Sequence, residues 1–182
     1  MSDAKIETKV FDPIWQTAVW LREEIPKSPL SNGEKAALRR LDPANPDQRH
    51  LGPVFALLAR LETKSQASEN SEKLGAGLPD LITINALALA NGNHVGTSPF
   101  GGALATIDLG EMRLNLLLTA DLATLAELGP RIARRFAAKG QPANWKQFHR
   151  LARTADHPND SETYRQARLQ ITRDFQRATT QS

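Results

Sequence analysis

Apolar residues return at every third or fourth position through much of this chain, which is the spacing of one face of an α-helix. The clearest run is Leu114, Leu117, Leu118, Leu122 and Leu125. No segment shows the alternation of apolar and polar residues that predicts a half-buried strand, and no internal repeat is visible. The sequence therefore predicts a compact all-α protein of about eight helices.

Capping residues, glycines and prolines predict where individual helices begin and end. Asp12 is expected to cap the first helix, with Trp15 on its buried face. Another helix is expected over Pro53–Glu62. In the leucine-rich region, Gly129–Pro130 predicts a break and Gly140 a C-terminal cap.

Residues 63–77, "TKSQASENSEKLGAG", are polar and rich in small side chains, which is typical of a flexible linker. We interpret them as dividing an N-terminal helical lobe, 1–62, from a C-terminal helical lobe, 78–182. The second lobe opens with "LPDLITINALALANG", which is apolar nearly all round and predicts a buried helix.

No run of residues approaches the 18 apolar positions of a membrane span, and the N-terminus has no apolar signal core. We therefore expect a cytoplasmic protein that does not contact membranes. The absence of cysteine excludes disulfides, thiolate nucleophiles and cysteine-ligated metals.

Positive charge is concentrated near the C-terminus. Residues 129–177 hold 11 basic and 4 acidic residues, a net charge of +7, whereas the whole chain carries only +3. Nine of those 11 are arginine, which favours planar contacts with phosphate. An asymmetry of this kind indicates a polyanionic partner, most commonly nucleic acid.

Basic residues also recur at helical spacing in three consecutive helices. In "GPRIARRFAAKG" the residues Arg131, Arg134 and Arg135 share one face, with Lys139 one turn further on. Similar rows follow in the next two helices, each beside an apolar row. Together they predict a shared anion-binding surface. Arg113 is the one cation within the leucine-rich helix; it either snorkels at the edge of the core or points at a phosphate.

Motifs for catalysis are weak. The histidines, His149 among them, match no zinc motif, and we expect His149 to lie at the surface or at a helix end. The glycines of 92–102 do not form a phosphate-binding loop. We therefore expect no enzyme, no cofactor and no metal site.

Four segments in this order, "GEKAALRR", "GEMRLNLLLTADLATL", "NWKQFHRLA" and "RLQITRDFQ", resemble the CasB family. Members are small subunits of the type I-E CRISPR surveillance complex Cascade. The resemblance runs from about Phe11 to Phe175. It implies an all-helical protein with two lobes and no catalytic activity. Its partners would be guide RNA, target and non-target DNA, the backbone and large subunits, and a second copy associated head to tail.

The resemblance also carries residue roles. The Leu-Arg-Arg motif of the family falls on Leu38 and the two arginines after it, and its acid-x-Arg-Leu motif begins at Glu111. The terminal motif of the family has a tryptophan and tyrosines, where this chain has Ile171, Phe175 and Gln176. The resemblance also matches Arg131, Arg134 or Arg135, and Arg168 and Arg173 to basic positions of the family. Together with the basic rows described above, it gives this set of expected nucleic-acid-binding residues: Arg39, Arg40, Arg113, Arg131, Arg134, Arg135, Lys139, Lys146, Arg150, Arg165, Arg168 and Arg173.

Two other functions fit parts of the sequence. In a sequence-specific DNA-binding regulator, "LAELGPRIARRF" would form a helix-turn-helix with Gly129 in the turn. The second helix of that motif would carry mostly arginine and alanine, however, in place of residues that read bases. In a protein-interaction scaffold, the basic faces would pair with acidic partners.

Overall fold

A computed structural model describes residues 11–22, 28–46, 48–65, 74–155 and 162–181. Across these ranges nine segments are helical, and one isolated β-bridge joins His94 to Ala143. The all-α prediction is confirmed. None of the helices in these ranges combines the length and apolar character needed to cross a bilayer. The helices are α1 (Pro13–Leu21), α2 (Asn32–Arg40), α3 (Gln48–Ser65), α4 (Leu78–Leu89), α5 (Phe100–Thr106), α6 (Glu111–Thr119), α7 (Leu122–Lys139), α8 (Trp145–Thr154) and α9 (Glu162–Thr180).

Local capping chemistry sets several of these ends. The Asp12 carboxylate accepts hydrogen bonds from the first backbone N–H groups of α1, and Ser31 forms a capping box with Glu34 at α2. Gly140 ends α7 in the left-handed conformation, with φ of 60°. The caps predicted at Asp12 and Gly140 are confirmed.

The predicted break at Gly129–Pro130 is wrong, because α7 is continuous through both residues. A Cβ on Gly129 would lie 3.1 Å from Phe148 Cζ and 3.3 Å from Ile82 Cγ2. The glycine therefore allows α7 to pack closely against α4 and α8. Pro130 removes one backbone hydrogen bond, and the surrounding packing outweighs that loss.

The structure extends α3 beyond its predicted ends, from Gln48 to Ser65, with Pro53 inside the helix. The first three residues of the predicted linker, 63–65, therefore form the last turn of α3. Leu74, near its other end, packs against the core. Residues 66–73 of that linker lie outside the described residues, and 74–77 precede α4.

The core is built around α4, which is buried on all sides from Leu81 to Ala88, as its composition predicts. It packs against α7 and α8, which follow it in the chain, and against α1 and α2, which precede it. One cluster of buried apolar residues therefore includes side chains from both predicted lobes. The division into two lobes stays a prediction.

Packing of α5 against α9 is the most extensive helix contact in the described structure. The spacing of apolar residues predicts a buried face of Tyr164, Ala167, Ile171, Phe175 and Ala178 on α9. The first four are buried, and Ala178 is half-buried. The Tyr164 hydroxyl donates a hydrogen bond of 3.0 Å to the Leu118 carbonyl and so ties α9 to α6. This hydrogen bond holds α6 beside α9, which carries part of the predicted basic surface.

Tryptophans occupy contrasting positions. Trp145 is fully buried in an aromatic cluster, and its indole N–H donates to the Asn93 carbonyl at 3.1 Å. Trp15, predicted to pack in the core, is 48% exposed. That prediction is wrong because α1 turns Ile14, Ala18 and Leu21 toward the core.

His94 links the loop after α4 to α8. The side chain is buried, and its Nδ1 accepts a hydrogen bond of 3.1 Å from the Trp145 backbone N–H. Burial lowers the pKa of His94 below its ordinary value of 6.5. Because protonation of Nδ1 would break the bond to Trp145, the neutral ring is the form that stabilises the fold.

We expect this histidine to make the folded state sensitive to acid. A lowered pKa in the folded state means that the unfolded chain binds the proton more readily. The stabilisation is therefore present above pH 6.5 and is lost as the pH falls, by at most about 1.4 kcal/mol per pH unit. The free energy of unfolding in urea should fall less between pH 7.5 and pH 5 in His94→Asn than in the unaltered protein. Asparagine keeps a hydrogen-bond acceptor but does not titrate. Equal losses in both proteins would contradict this assignment.

Candidate nucleic-acid interface

Helix α6 lies at the centre of the candidate interface. It buries Leu114, Leu117 and Leu118 and leaves Arg113 and Leu116 at the surface. None of the described residues makes a hydrogen bond or an ion pair with the Arg113 guanidinium. This arginine is therefore exposed and available to an external anion.

A groove between α6 and α7, called here the α6–α7 groove, brings predicted site residues together. No aspartate or glutamate is among the described residues that line the groove. Its guanidinium groups come from both helices, so arginines of two separate helices share one surface. The lining residues are Leu109, Arg113, Leu116, Leu128, Arg131, Ile132 and Arg135.

Two of these arginines have neighbours within the protein. Arg135 Nη2 donates to the carbonyls of Ile107 at 2.8 Å and Asp108 at 3.2 Å, which anchors its guanidinium at the groove. Arg131 lies 3.9 Å from the Glu127 carboxylate, with both side chains 70% exposed. An ion pair so long and exposed contributes little, and Arg131 remains open to a phosphate.

Other members of the same row lie outside this groove. Lys139 donates to Asp108 Oδ2 at 2.9 Å, and that hydrogen bond lowers the pKa of the Asp108 carboxyl. Arg134 is exposed but does not line the groove. The four basic residues of α7 are therefore not equivalent.

A second basic hollow lies between α6 and α9. Asn115, Arg165, Arg168 and Thr172 are among its lining residues. The Arg168 guanidinium lies 5.1 Å from the centre of the Tyr164 ring, and Arg165 forms an exposed ion pair of 3.1 Å with Glu162. Both guanidiniums border the opposite side of α6 from Arg113. Arg173 is exposed further along α9.

On α8 the predicted basic row is partly neutralised inside the protein. Lys146 Nζ lies 2.8 Å from Asp12 Oδ2, while the other oxygen of that carboxylate caps α1. Arg150 is exposed. No local pattern indicates the Asp12–Lys146 pair, because its members lie 134 positions apart in the chain.

Arg39 and Arg40 differ sharply although they are adjacent. Arg39 is half-buried; its Nε donates to the Ala88 carbonyl at 3.2 Å and its Nη2 to Asn91 Oδ1 at 3.1 Å. It therefore fastens α2 to the C-terminal end of α4. Arg40 is exposed at the end of α2.

The prediction for His149 is wrong. It is buried on α8, and its Nε2 lies 2.8 Å from Asp80 Oδ1 at the start of α4. This pair joins two core helices. Among the described residues, no group of three or more histidines and carboxylates could hold a metal ion.

The alternative in which Gly129 lies in the turn of a helix-turn-helix is contradicted, since α7 contains no turn there. Arginines of this helix thus belong to one continuous 18-residue element. Sequence reasoning also missed the apolar lining of the groove. The available signal was Leu116, which falls off the buried face defined by Leu114, Leu117 and Leu118.

Comparison with known protein families gives one match. The model for CRISPR-associated protein Cse2 matches residues 34–175, more than three quarters of the chain. Every residue of the α6–α7 groove lies within that range. Searches of curated proteins and of solved structures gave no match.

Proposed function

Because the chain belongs to the CRISPR-associated Cse2 (CasB) family, and so to the Cascade complex of CRISPR defence, we propose that it holds nucleic acid there without catalysing a reaction. The arginine-lined α6–α7 groove is the observation that supports this role. Its cations lie on an outer surface, on two helices whose backbone is already hydrogen-bonded.

Guanidinium groups suit a protein that must hold strands of any sequence. In RNA-guided recognition the sequence is read by base pairing with the guide, so the protein needs affinity for the backbone alone. Arginine binds phosphate through planar, paired N–H donors and gains no sequence preference by doing so. Arg113 and Arg131 are exposed enough to act in this way.

Within the complex, the proposed ligands are the guide RNA, the target strand and the displaced non-target strand of the R-loop. The proposed protein partners are the backbone and large subunits and a second copy of this chain. The complex would act in the cytoplasm. Stabilising the displaced strand would slow the closing of the R-loop and so prolong recognition of invading DNA.

Salt dependence of binding tests this role in the full-length protein. The three arginines of the α6–α7 groove and the two of the α6–α9 hollow predict a slope of log Kd against log salt of about 2 to 3.5 for a single strand, at about 0.7 per phosphate neutralised. A fluorescently labelled oligonucleotide of mixed sequence, titrated at several salt concentrations, measures that slope. Absence of binding at low salt, or a slope near zero, would overturn the proposal.

A further inference from the structure

The α6–α7 groove is more apolar than a phosphate site requires. Leu116 and Leu128 present apolar surface beside the arginines, and the buried side chains of Leu109 and Ile132 form the floor beneath them. Leu116 is 50% exposed although α6 has a buried face available. Exposed apolar surface beside converging cations indicates a ligand that has both an apolar and an anionic part.

The two kinds of side chain alternate along the groove. On α7, Leu128, Arg131, Ile132 and Arg135 follow one another at helical spacing, so they share one face. On α6, Arg113 and Leu116 are likewise neighbours on adjacent turns. Each apolar contact surface therefore lies directly beside a guanidinium group.

We propose that this groove takes a nucleotide of an unpaired strand, with its base against Leu116 and Leu128 and its phosphates at Arg113 and Arg131. The inference rests on the proposed function, since it assumes a nucleic-acid ligand. A base has a flat apolar face next to a charged backbone, which matches the alternation in the groove. In a duplex that face is stacked and unavailable, so the protein should prefer single strands.

A nucleotide fits this groove better than an extended acidic peptide does. The groove walls are two helices, whose backbone groups are bonded within each helix. They offer few partners for the N–H and C=O groups of a peptide, and unpaired backbone groups are costly to bury. A strand of nucleic acid carries no such groups along its backbone, and it repeats its negative charge at every unit.

Removing the bases while keeping the phosphates tests the proposal. The full-length protein is titrated with a thymidine oligonucleotide and with an abasic oligonucleotide of equal length. We expect the thymidine strand to bind about tenfold more tightly, because each base buries part of its apolar face against aliphatic side chains of the groove. Leu116→Gln should reduce the difference to about twofold or less without changing the salt slope. Phe55→Gln, at a similarly exposed position on α3, should keep the full difference.

Each other outcome has a distinct meaning. Equal binding of the two strands with a steep salt slope would overturn the base site and leave the proposed function standing. No salt-dependent binding of either strand would overturn the proposed function itself. If Leu116→Gln keeps the discrimination and the variant no longer assembles into Cascade, the groove is a protein interface and the proposal fails. Leu116→Ala, with an unchanged circular dichroism spectrum, provides the same comparison if the glutamine variant unfolds.

Discussion

Reversing the charge at Arg113 and Arg131 should weaken single-strand binding by about 25-fold or more at about 0.1 M salt. Each phosphate contact on a single strand contributes about 0.7 log units of affinity per tenfold change in salt. Relative to about 1 M salt, where this contribution vanishes, the loss of two contacts removes about 1.4 log units of affinity at about 0.1 M. The introduced glutamates also repel the backbone, which increases the loss. Fluorescence anisotropy with the double variant Arg113→Glu/Arg131→Glu measures the effect. Both side chains are exposed, so the fold should survive.

A matched control separates the effect of losing groove contacts from the effect of changing the net charge. Arg153→Glu/Arg177→Glu makes the same change in charge at two exposed arginines on α8 and α9 that do not line the groove. We expect this variant to lose affinity by only about threefold, through long-range repulsion that salt screens. Equal losses in the two variants would show that binding depends on overall charge and that the groove has no special part in it.

Gly101→Ala should destabilise the fold by about 3 kcal/mol or more, the upper end of what overpacking a core does. A Cβ at this position would overlap the Ile171 carbonyl oxygen and lie 2.9 Å from the Phe175 nitrogen, both in the backbone of α9. Neither atom can rotate away, so α5 and α9 must separate. Urea unfolding followed by tryptophan fluorescence gives the change in free energy.

The adjacent glycine provides the control. A Cβ on Gly102 would meet its nearest atom, the Asp174 carbonyl oxygen, at 3.7 Å, which is ordinary contact. Gly102→Ala should therefore be neutral, or stabilising by about 0.5–1 kcal/mol through helix propensity. If both alanine variants unfold at the same urea concentration, the close approach of α5 to α9 is not as described.

Periodicity predicted the fold well wherever one helix face is uniformly apolar. The four buried residues of α9 follow from the spacing of its apolar residues, and the burial of α4 from Leu81 to Ala88 follows from its nearly continuous apolar composition. Failures occurred where tertiary contacts overrode a local signal. Gly129 and Pro130 look like a helix break, but α4 and α8 pack tightly across that position. Trp15 is exposed because α1 turns Ile14, Ala18, Trp20 and Leu21 toward the core instead.

For the candidate interface, the sequence predicted which residues are basic and which share a helix face. It could not predict their partners. Lys146 contacts Asp12, and Lys139 contacts Asp108, through pairings that only the folded chain creates. The α6–α7 groove depends in the same way on how two helices meet. Arg113 and Arg131 line the same groove although they belong to different helices.

The most direct test of the account is the salt slope after charge removal at the groove. Arg113→Gln/Arg131→Gln removes two cations without adding repulsion, so the change in slope counts the phosphates that these residues neutralise. We predict a slope lower by about 1.4 for a single strand, from about 0.7 per phosphate, and an unchanged slope for Arg153→Gln/Arg177→Gln. A groove variant whose slope equals that of the unaltered protein would contradict the claim that this groove meets the sugar-phosphate chain.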